Sequence, residues 1–264
     1  MSGTDSGDGD RARRARSFGT VAALYAEHRP DYPSAALAWA LEPVRDRGPL
    51  RVLDLAAGTG KLTETLLGTA GSAVPRAGFV TAVEPDDEMR AELVRRLPGV
   101  RALRGTAEAI PLPDGGVDAV VVGQAVHWFD TERALPEIAR VLAPGGVLAT
   151  FNNYADDLRH PWVAEYGRLS RHDQMLSIRG DAVLLPPHPL FDGPERAEFD
   201  HLFPRTADSL TETVRTHSRH VLRDPAEAAA VTDRVHSFLR EHSGGDDVPF
   251  DLPLVTITLR GVRR

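Results

Sequence analysis

Short apolar segments alternate with amphipathic ones through the middle of the chain. Four segments are apolar at nearly every position and are predicted to be strands: 51–55, 78–83, 117–122 and 147–151. Helical patterns follow the first three, over 61–67, 87–97 and 133–142. Strands that are apolar on both faces and alternate with helices are typical of a parallel sheet with helices on both sides. The pattern therefore predicts an α/β fold with a doubly wound, mostly parallel sheet.

The segments on either side of this pattern are less regular. Before it, two short helices are predicted around a proline-containing break at 28–33, with Ser34 as the N-cap of the second. After it, weaker patterns predict a strand, two helices and a last strand over 197–203, 206–220, 225–242 and 254–259. A terminal pair of strands suits an antiparallel edge of the sheet.

We expect one domain behind a disordered tail. The tail is the polar and charged segment 1–16, and the single domain spans 17–264. The domain is predicted to consist of N-terminal cap helices, a core, a helical insertion on the substrate side, and C-terminal strands and helices, over 17–45, 46–153, 154–195 and 196–264.

The strongest chemical signal is the turn that follows the first strand, Ala56-Ala57-Gly58-Thr59-Gly60. Small residues there let a ligand approach the backbone at the N-terminus of the next helix. A phosphate loop needs Ser or Thr directly after Lys61, and Leu62 stands there, so that interpretation fails. A dinucleotide site needs a third glycine where Thr63 stands, which weakens but does not exclude an NAD(P)-dependent oxidoreductase.

Acidic residues end the first two strands. A carboxylate at Asp54 suits a ligand that carries an ammonium group, whereas it would repel a pyrophosphate. Glu84 lies 24 residues after Gly60 (84 − 60), where an acid can accept both hydroxyls of a ribose. A ribose and an amino group without a phosphate describe S-adenosylmethionine.

The chain resembles the class I S-adenosylmethionine-dependent methyltransferases, in the type-11 small-molecule group that includes enzymes similar to trans-aconitate methyltransferase. The matching segments, which cover roughly residues 50–151, are VLDLAAGTGKLT, VTAVEPDDEM, GTAEAIPLPDGGVDAVVVGQAVHWFD and VLAPGGVLAT. The resemblance implies a seven-stranded Rossmann-like sheet and methyl transfer from S-adenosylmethionine, with S-adenosylhomocysteine as product and without a metal. Ala56 departs from the glycine that the family usually has there.

The resemblance also implies which residues contact the cofactor. Asp54 would hold the methionine ammonium, Glu84 the ribose hydroxyls, and the segment around Thr106 the adenine edge, although the family usually has an acid at that position. The full implied set is Asp54, Ala56, Gly58, Gly60, Glu84, Pro85, Met89, Thr106, Ala107, Glu108, Gln124 and Ala125.

Two interpretations of His127 stay open. A histidine with a pKa near ~6.5 is able to take a proton from the methyl acceptor as a general base, but the same residue is able to serve only as a wall of the pocket. Aromatic and basic residues of the cap and insertion segments, together with Trp128 after the fourth strand, are the candidates for binding the acceptor: Tyr25, Arg29, Tyr32, Trp128, Tyr154, Trp162, Tyr166 and His188.

Composition narrows the class of protein. Thirty-one basic residues against 38 acidic ones give a net charge of −7, which argues against a nucleic-acid partner bound through a basic surface. Lys61 is the only lysine. Cysteine is absent, and no apolar run approaches the ~18 residues of a membrane span. We expect a cytoplasmic monomer or homodimer that acts on a small molecule, the alternatives being the oxidoreductase and a non-catalytic S-adenosylmethionine-binding protein.

Overall fold

The computed structural model describes residues 29–68, 77–170, 185–215 and 224–264. The predicted tail, the first cap helix and Tyr25 lie outside these ranges. The described helices are α1 Ser34–Leu41, α2 Lys61–Gly68, α3 Asp87–Arg96, α4 Thr131–Val141, α5 Pro161–Ser170, α6 Ala207–Arg215 and α7 Pro225–Ser243, with 3₁₀ turns at Glu42–Arg47 and Val126–Trp128. The strands are β1 Leu50–Leu55, β2 Ala77–Val83, β3 Arg101–Leu103, β4 Val117–Gly123, β5 Leu142–Ala155, β6 Phe191–Arg205 and β7 Phe250–Arg263.

The seven strands form one sheet in the order β3-β2-β1-β4-β5-β7-β6. The first five pair in parallel with their neighbours. β7 runs antiparallel to β6, because the N–H of Arg264 donates to the carbonyl of Leu190 while Arg260 pairs with Glu195. The predicted doubly wound, mostly parallel sheet with an antiparallel edge is confirmed.

The last three strands are longer than the sequence pattern indicates. β5 begins at Leu142, before the predicted strand 147–151, and continues to Ala155. β6, Phe191–Arg205, and β7, Phe250–Arg263, likewise extend beyond the predicted runs 197–203 and 254–259 at both ends. In β6, nearly every side chain between the two ends is exposed or half-buried, as an edge strand allows. Hydrogen bonds to a neighbouring strand define these ends, and such pairing leaves no hydrophobic signal in the sequence.

The predicted N-cap of α1 is wrong. Pro33, and not Ser34, occupies that position, with φ −66° and ψ 135° and without a side-chain cap. The Pro33 carbonyl accepts the N–H of Ala36 at 3.0 Å, so the extended proline starts the helix by itself. Asp224 is the N-cap of α7, because its side chain accepts from the N–H groups of Ala226 and Glu227.

The chain divides into two compact units. The larger one contains the described residues of 31–153, 185–199 and 256–264. Its core on one face of the sheet joins α1 and α2 to the central strands through buried side chains that include Leu37, Leu41, Leu66, Val121 and Phe151. This unit carries the glycine-containing turn and both strand-ending acids.

The smaller unit contains Arg29 and Pro30 with the described residues of 154–170, 200–215 and 224–255. Its core joins α5, α6 and α7 through buried residues such as Val163, Leu210 and Val235. The sequence predicts a single domain with an insertion over 154–195. The unit instead also includes α6 and α7, and α7 packs against both α5 and α6.

None of the described helices combines the length and apolar character that crossing a bilayer requires.

Candidate functional site

The chemistry-bearing residues of the larger unit meet at one edge of the sheet. Asp54 of β1 pairs in register with Ala82 of β2 and Val121 of β4. Because the strands are parallel, their carboxyl ends lie side by side, and the residues that follow them share that edge. Ligands of doubly wound sheets bind in this place.

Asp54 is a fully buried carboxylate with one hydrogen bond to a side chain. Its Oδ2 accepts from the Thr63 hydroxyl at 2.5 Å, while its buried Oδ1 has no hydrogen-bond partner. Burial raises the pKa of Asp54 to about 7, against the lowering effect of Thr63, and the negative charge of Glu84 raises it further. A cation placed at Oδ1 would restore the charged form, since an opposite charge offsets the desolvation of a buried carboxylate.

The turn between β1 and α2 is built on left-handed backbone. Ala56, Gly58 and Gly60 have φ values of 56°, 56° and 86°. A Cβ on Gly60 would lie 3.0 Å from side-chain carbons of Leu93 and Leu97, so glycine also lets α3 pack closely. Ala56, Ala57 and Gly58 of this turn are half-buried, whereas Thr59 and Gly60 are buried.

Ala56 provides a test of this backbone conformation. An L-residue with a Cβ in the left-handed region costs roughly 1–2 kcal/mol, whereas glycine there costs only unfolded-state entropy. We expect Ala56→Gly to raise the free energy of unfolding by about 0.5–1 kcal/mol, measured by urea denaturation. Ala57→Gly is the matched control and should lower stability, because Ala57 lacks the positive φ. Equal destabilisation by both changes would contradict the prediction.

Glu84 is buried against the same turn. Its Oε2 accepts from the N–H of Gly58 at 2.8 Å, and its Oε1 accepts from the N–H of Asp86 at 2.9 Å. Burial raises the pKa of Glu84, while these two amides oppose the rise. Each carboxylate oxygen keeps a further lone pair, so the fixed carboxylate is able to accept two more hydrogen bonds, as a diol would donate.

The residues predicted near the adenine form a tight turn and a helix start. The N–H groups of Thr106 and Ala109 donate to each other's carbonyls at 3.3 and 3.2 Å, and Ala107 between them is buried. Glu108 Oε1 accepts from the N–H of Asp130 at 3.0 Å, just before α4. Asp86 caps α3 by accepting from the N–H of Met89 at 2.9 Å, with exposed Pro85 beside it.

The end of β4 holds a strained residue and a histidine. Gln124 has φ 56°, and its Nε2 donates to the Asn153 carbonyl at 3.0 Å. A non-glycine residue in this region marks functional edges more often than ordinary loops. After the buried Ala125, the ring of His127 lies 4.7 Å from that of Trp128. Part of His127 is exposed. The surrounding protein nevertheless desolvates its ring, which lowers the pKa of His127 and favours the neutral form at pH 7.

Comparisons with known proteins identify the family of the chain. A family model described as a methyltransferase domain matches residues 53–150. An uncharacterized methyltransferase of Mycobacterium tuberculosis is 41% identical over 249 residues, which are 92% of this chain and 94% of that protein. This chain is a class I S-adenosylmethionine-dependent methyltransferase family member.

Two further similarities bear on the methyltransferase fold and its relatives. A demethylmenaquinone methyltransferase of Thermus thermophilus is 42% identical over 119 residues, 43% of this chain and 53% of that protein. A solved structure from Anaeromyxobacter dehalogenans, described as a type II methyltransferase, has a TM-score of 0.64 at 24% identity, over 89% of this chain and 97% of that one. The relatives are methyltransferases, so the oxidoreductase interpretation of the glycine-containing turn is given up.

The residues predicted to bind the acceptor of the methyltransferase lie in different places. Tyr32 is 7% exposed and packs edge-on against Phe151, with ring centroids 5.8 Å apart, so its ring belongs to the core of the larger unit. Trp162 stacks on His242 at 4.3 Å, and Tyr166 is buried in the core of the smaller unit. For these residues, packing is the role that the contacts describe.

The remaining acceptor candidates are more accessible or lie apart from the cores. His188 is half-buried, and its Nδ1 accepts from the N–H of Leu190 at 3.3 Å. Trp128 and Arg29 are half-buried, and Tyr154 is buried where β5 ends. Contact with the acceptor stays a prediction for all of them.

The sequence does not predict the residues that hold the site residues in place. Thr63 stands where a dinucleotide site has its third glycine, and in the structure its hydroxyl donates to the Asp54 carboxylate. Its position in the first turn of the helix after the strand was a usable signal. Asn153 and Asp31 carried no signal of their own, because their contacts join segments that are far apart in the chain.

Proposed function

We propose that this methyltransferase binds S-adenosylmethionine at the carboxyl ends of β1, β2 and β4 and transfers its methyl group to a small molecule. The observation that carries the proposal is the buried Oδ1 of Asp54, which lacks a partner beside a turn of left-handed backbone. An unpaired buried carboxylate oxygen is costly to the folded protein unless a ligand donates to it. The methionine ammonium is a donor of the right charge.

The residues of the edge suit the separate parts of this cofactor. Asp54 would hold the ammonium, the backbone of Gly58 and Gly60 would lie under the ligand, and Glu84 would accept the ribose hydroxyls. When bound, S-adenosylmethionine supplies a methyl group on a sulfonium, which is already activated for transfer to a nucleophile. The protein therefore needs to orient the two reactants, exclude water and remove a proton from acceptors that carry one.

A small-molecule acceptor is supported by the relatives. The Thermus thermophilus relative is named for demethylmenaquinone, a small molecule. In the larger unit, three basic residues near this edge are each paired with an acidic side chain, namely Lys61, Arg90 and Arg96. Such pairing leaves little positive charge for a nucleic-acid backbone.

The test is direct detection of methyl transfer. The protein is incubated with methyl-labelled S-adenosylmethionine and pools of small hydroxyl, amine, carboxyl and quinone-type acceptors, and S-adenosylhomocysteine and labelled products are followed by mass spectrometry. We expect acceptor-dependent formation of both. Binding of the cofactor without transfer to any acceptor pool would support the non-catalytic alternative instead.

We predict that His127 is the general base for acceptors that lose a proton. His127→Ala should lower turnover by about a hundredfold, the usual size of general-base catalysis, and leave the Kd for S-adenosylhomocysteine unchanged. Because the base must be neutral, the wild-type rate should fall as the pH drops through the lowered pKa of His127, and the variant should lack this fall. Unaltered turnover and the same pH profile in the variant would reduce His127 to a wall of the pocket.

A further inference from the structure

The turn that precedes α2 is held from outside by a second segment of the chain. Lys61 begins α2 directly after Gly60, and its Nζ lies 3.0 Å from Oδ1 of Asp31. The Lys61 side chain is 18% exposed and that of Asp31 is 66% exposed, so the lysine end of this ion pair is partly shielded from water. On the other side, Arg96 of α3 donates to the Thr59 carbonyl at 2.9 Å. The turn is therefore held at Thr59 and at Lys61, the first residue of the helix.

Asp31 is itself hydrogen-bonded to Asn153 near the end of β5, and Asn153 is in turn bonded to β7. Its carbonyl accepts from Nδ2 of Asn153 at 3.0 Å, and Oδ1 of Asn153 accepts from the Thr256 hydroxyl at 2.6 Å. The carbonyl of the same Asn153 accepts from the side chain of the strained Gln124. One hydrogen-bonded chain thus runs from Lys61 through Asp31 and Asn153 to Gln124.

The neighbour of Asp31 fixes the same place by packing. The Tyr32 ring fills the space beside Gly123, where a Cβ would lie 2.6 Å from the tyrosine hydroxyl oxygen. Gly123 is the last residue of β4 and precedes Gln124. The Asp31-Tyr32 pair therefore contacts Lys61 after β1, Gly123 at the end of β4 and Asn153 near the end of β5, all within the larger unit.

We propose that Asp31 and Lys61 are positioning residues that hold the glycine turn and the end of β4 in the arrangement that binds the cofactor. Neither side chain contacts the reacting atoms in this proposal, which rests on the proposed function. The physical reason is that three of the five turn residues have left-handed backbone, and ordering such a residue costs roughly 1–2 kcal/mol of conformational entropy. If the contacts of Asp31 and Lys61 already order the turn in the ligand-free protein, ligand binding does not have to supply that free energy.

The test uses single changes, a conservative change and an exchange of the two charges. Lys61→Met and Asp31→Asn should each weaken binding of S-adenosylhomocysteine about fivefold, the size of a partly shielded ion pair. Lys61→Arg, which keeps the charge, and the exchange Asp31→Lys with Lys61→Glu should recover most of the loss. Calorimetry gives the Kd, and the melting temperature of each variant without ligand confirms that it is folded.

Arg95→Met is the matched control. It breaks an exposed pair with Glu92 in the same unit and should leave the Kd unchanged. Wild-type affinity in both Lys61→Met and Asp31→Asn would overturn the proposal, as would an exchange variant that is folded but binds no better than the single variants. Failure of the wild-type protein to bind S-adenosylhomocysteine would instead contradict the proposed function, so the two failures are distinguishable.

The single lysine makes a second measurement possible. An amine-reactive acetylating reagent has only Lys61 and the terminal amine as amino targets. Peptide mapping should show faster acetylation of Lys61 in Asp31→Asn than in the wild type, because the ion pair shields the amine. Equal rates would show that Asp31 does not hold Lys61 in solution and would overturn the proposal.

Discussion

Replacing Asp54 by Asn should remove most cofactor binding and at the same time stabilise the ligand-free protein. The change keeps the size of the side chain and an acceptor for the Thr63 hydroxyl, but it removes the charge that would face the ammonium. Removing one member of a buried charged contact costs about 2–5 kcal/mol, so the Kd for S-adenosylhomocysteine should rise by at least about 30-fold. Isothermal titration calorimetry measures this change.

The gain in stability follows from the raised pKa of Asp54. In the unfolded chain the group titrates near its ordinary value of 3.8, and in the folded protein at about 7. Between these values the folded state holds a proton that the unfolded state has lost, so the stability due to Asp54 falls as the pH rises and is lost above about 7. A shift of this size corresponds to at most about 4 kcal/mol.

Urea denaturation at pH 5 and pH 8 tests this stability effect. Asp54→Asn should gain stability over the wild type, and the gain should be larger at pH 8 than at pH 5. Asp118→Asn is the opposite control, because the Arg51 guanidinium lowers the pKa of Asp118, at the amino end of β4. Loss of the Asp118 charge should destabilise the protein at pH 8 without changing the Kd for S-adenosylhomocysteine. A destabilised Asp54→Asn at pH 8 would contradict the account of the buried carboxylate.

The second large effect is expected at Glu84. Glu84→Ala removes both acceptor oxygens and the hydrogen bond that holds the N–H of Gly58. We expect the Kd for S-adenosylhomocysteine to rise at least tenfold, about 1.4 kcal/mol, with a smaller rise for Glu84→Gln, which keeps one acceptor. Glu88→Ala, an exposed change in the first turn of α3, is the control that should have no effect.

A ligand without ribose hydroxyls makes the Glu84 test specific. The wild type should prefer S-adenosylhomocysteine to its 2′,3′-dideoxy analogue, and Glu84→Ala should lose that preference. If the variant binds less tightly but keeps the full preference, Glu84 acts on the turn through Gly58 and not on the ribose. An unchanged Kd would contradict both roles.

The parts of the site that are local in sequence could be predicted from it. The strand, turn and helix around Gly58 and the acid at Glu84 lie in short segments whose spacing reflects one βα unit and the start of the next. The parallel core followed from apolar runs of the correct length. These features depend on neighbours within a few residues or on one repeated pattern.

The supporting contacts could not be predicted because they depend on the tertiary arrangement. Asn153 and Asp31 are separated by 122 residues, and Lys61 and Asp31 by 30. The same reason explains why the sequence places Tyr32 among the acceptor candidates although its ring fills the space beside Gly123. An aromatic residue in a cap segment gives the same sequence signal whether it faces a ligand or the core.

Cofactor binding by the unmodified protein is the claim on which the whole account depends. Titration of the wild-type protein with S-adenosylhomocysteine, and in parallel with NAD, tests it in one calorimetric experiment. The account predicts saturable one-to-one binding of S-adenosylhomocysteine and no heat of binding from NAD. Saturable binding of NAD, with no response to S-adenosylhomocysteine or S-adenosylmethionine, would contradict it.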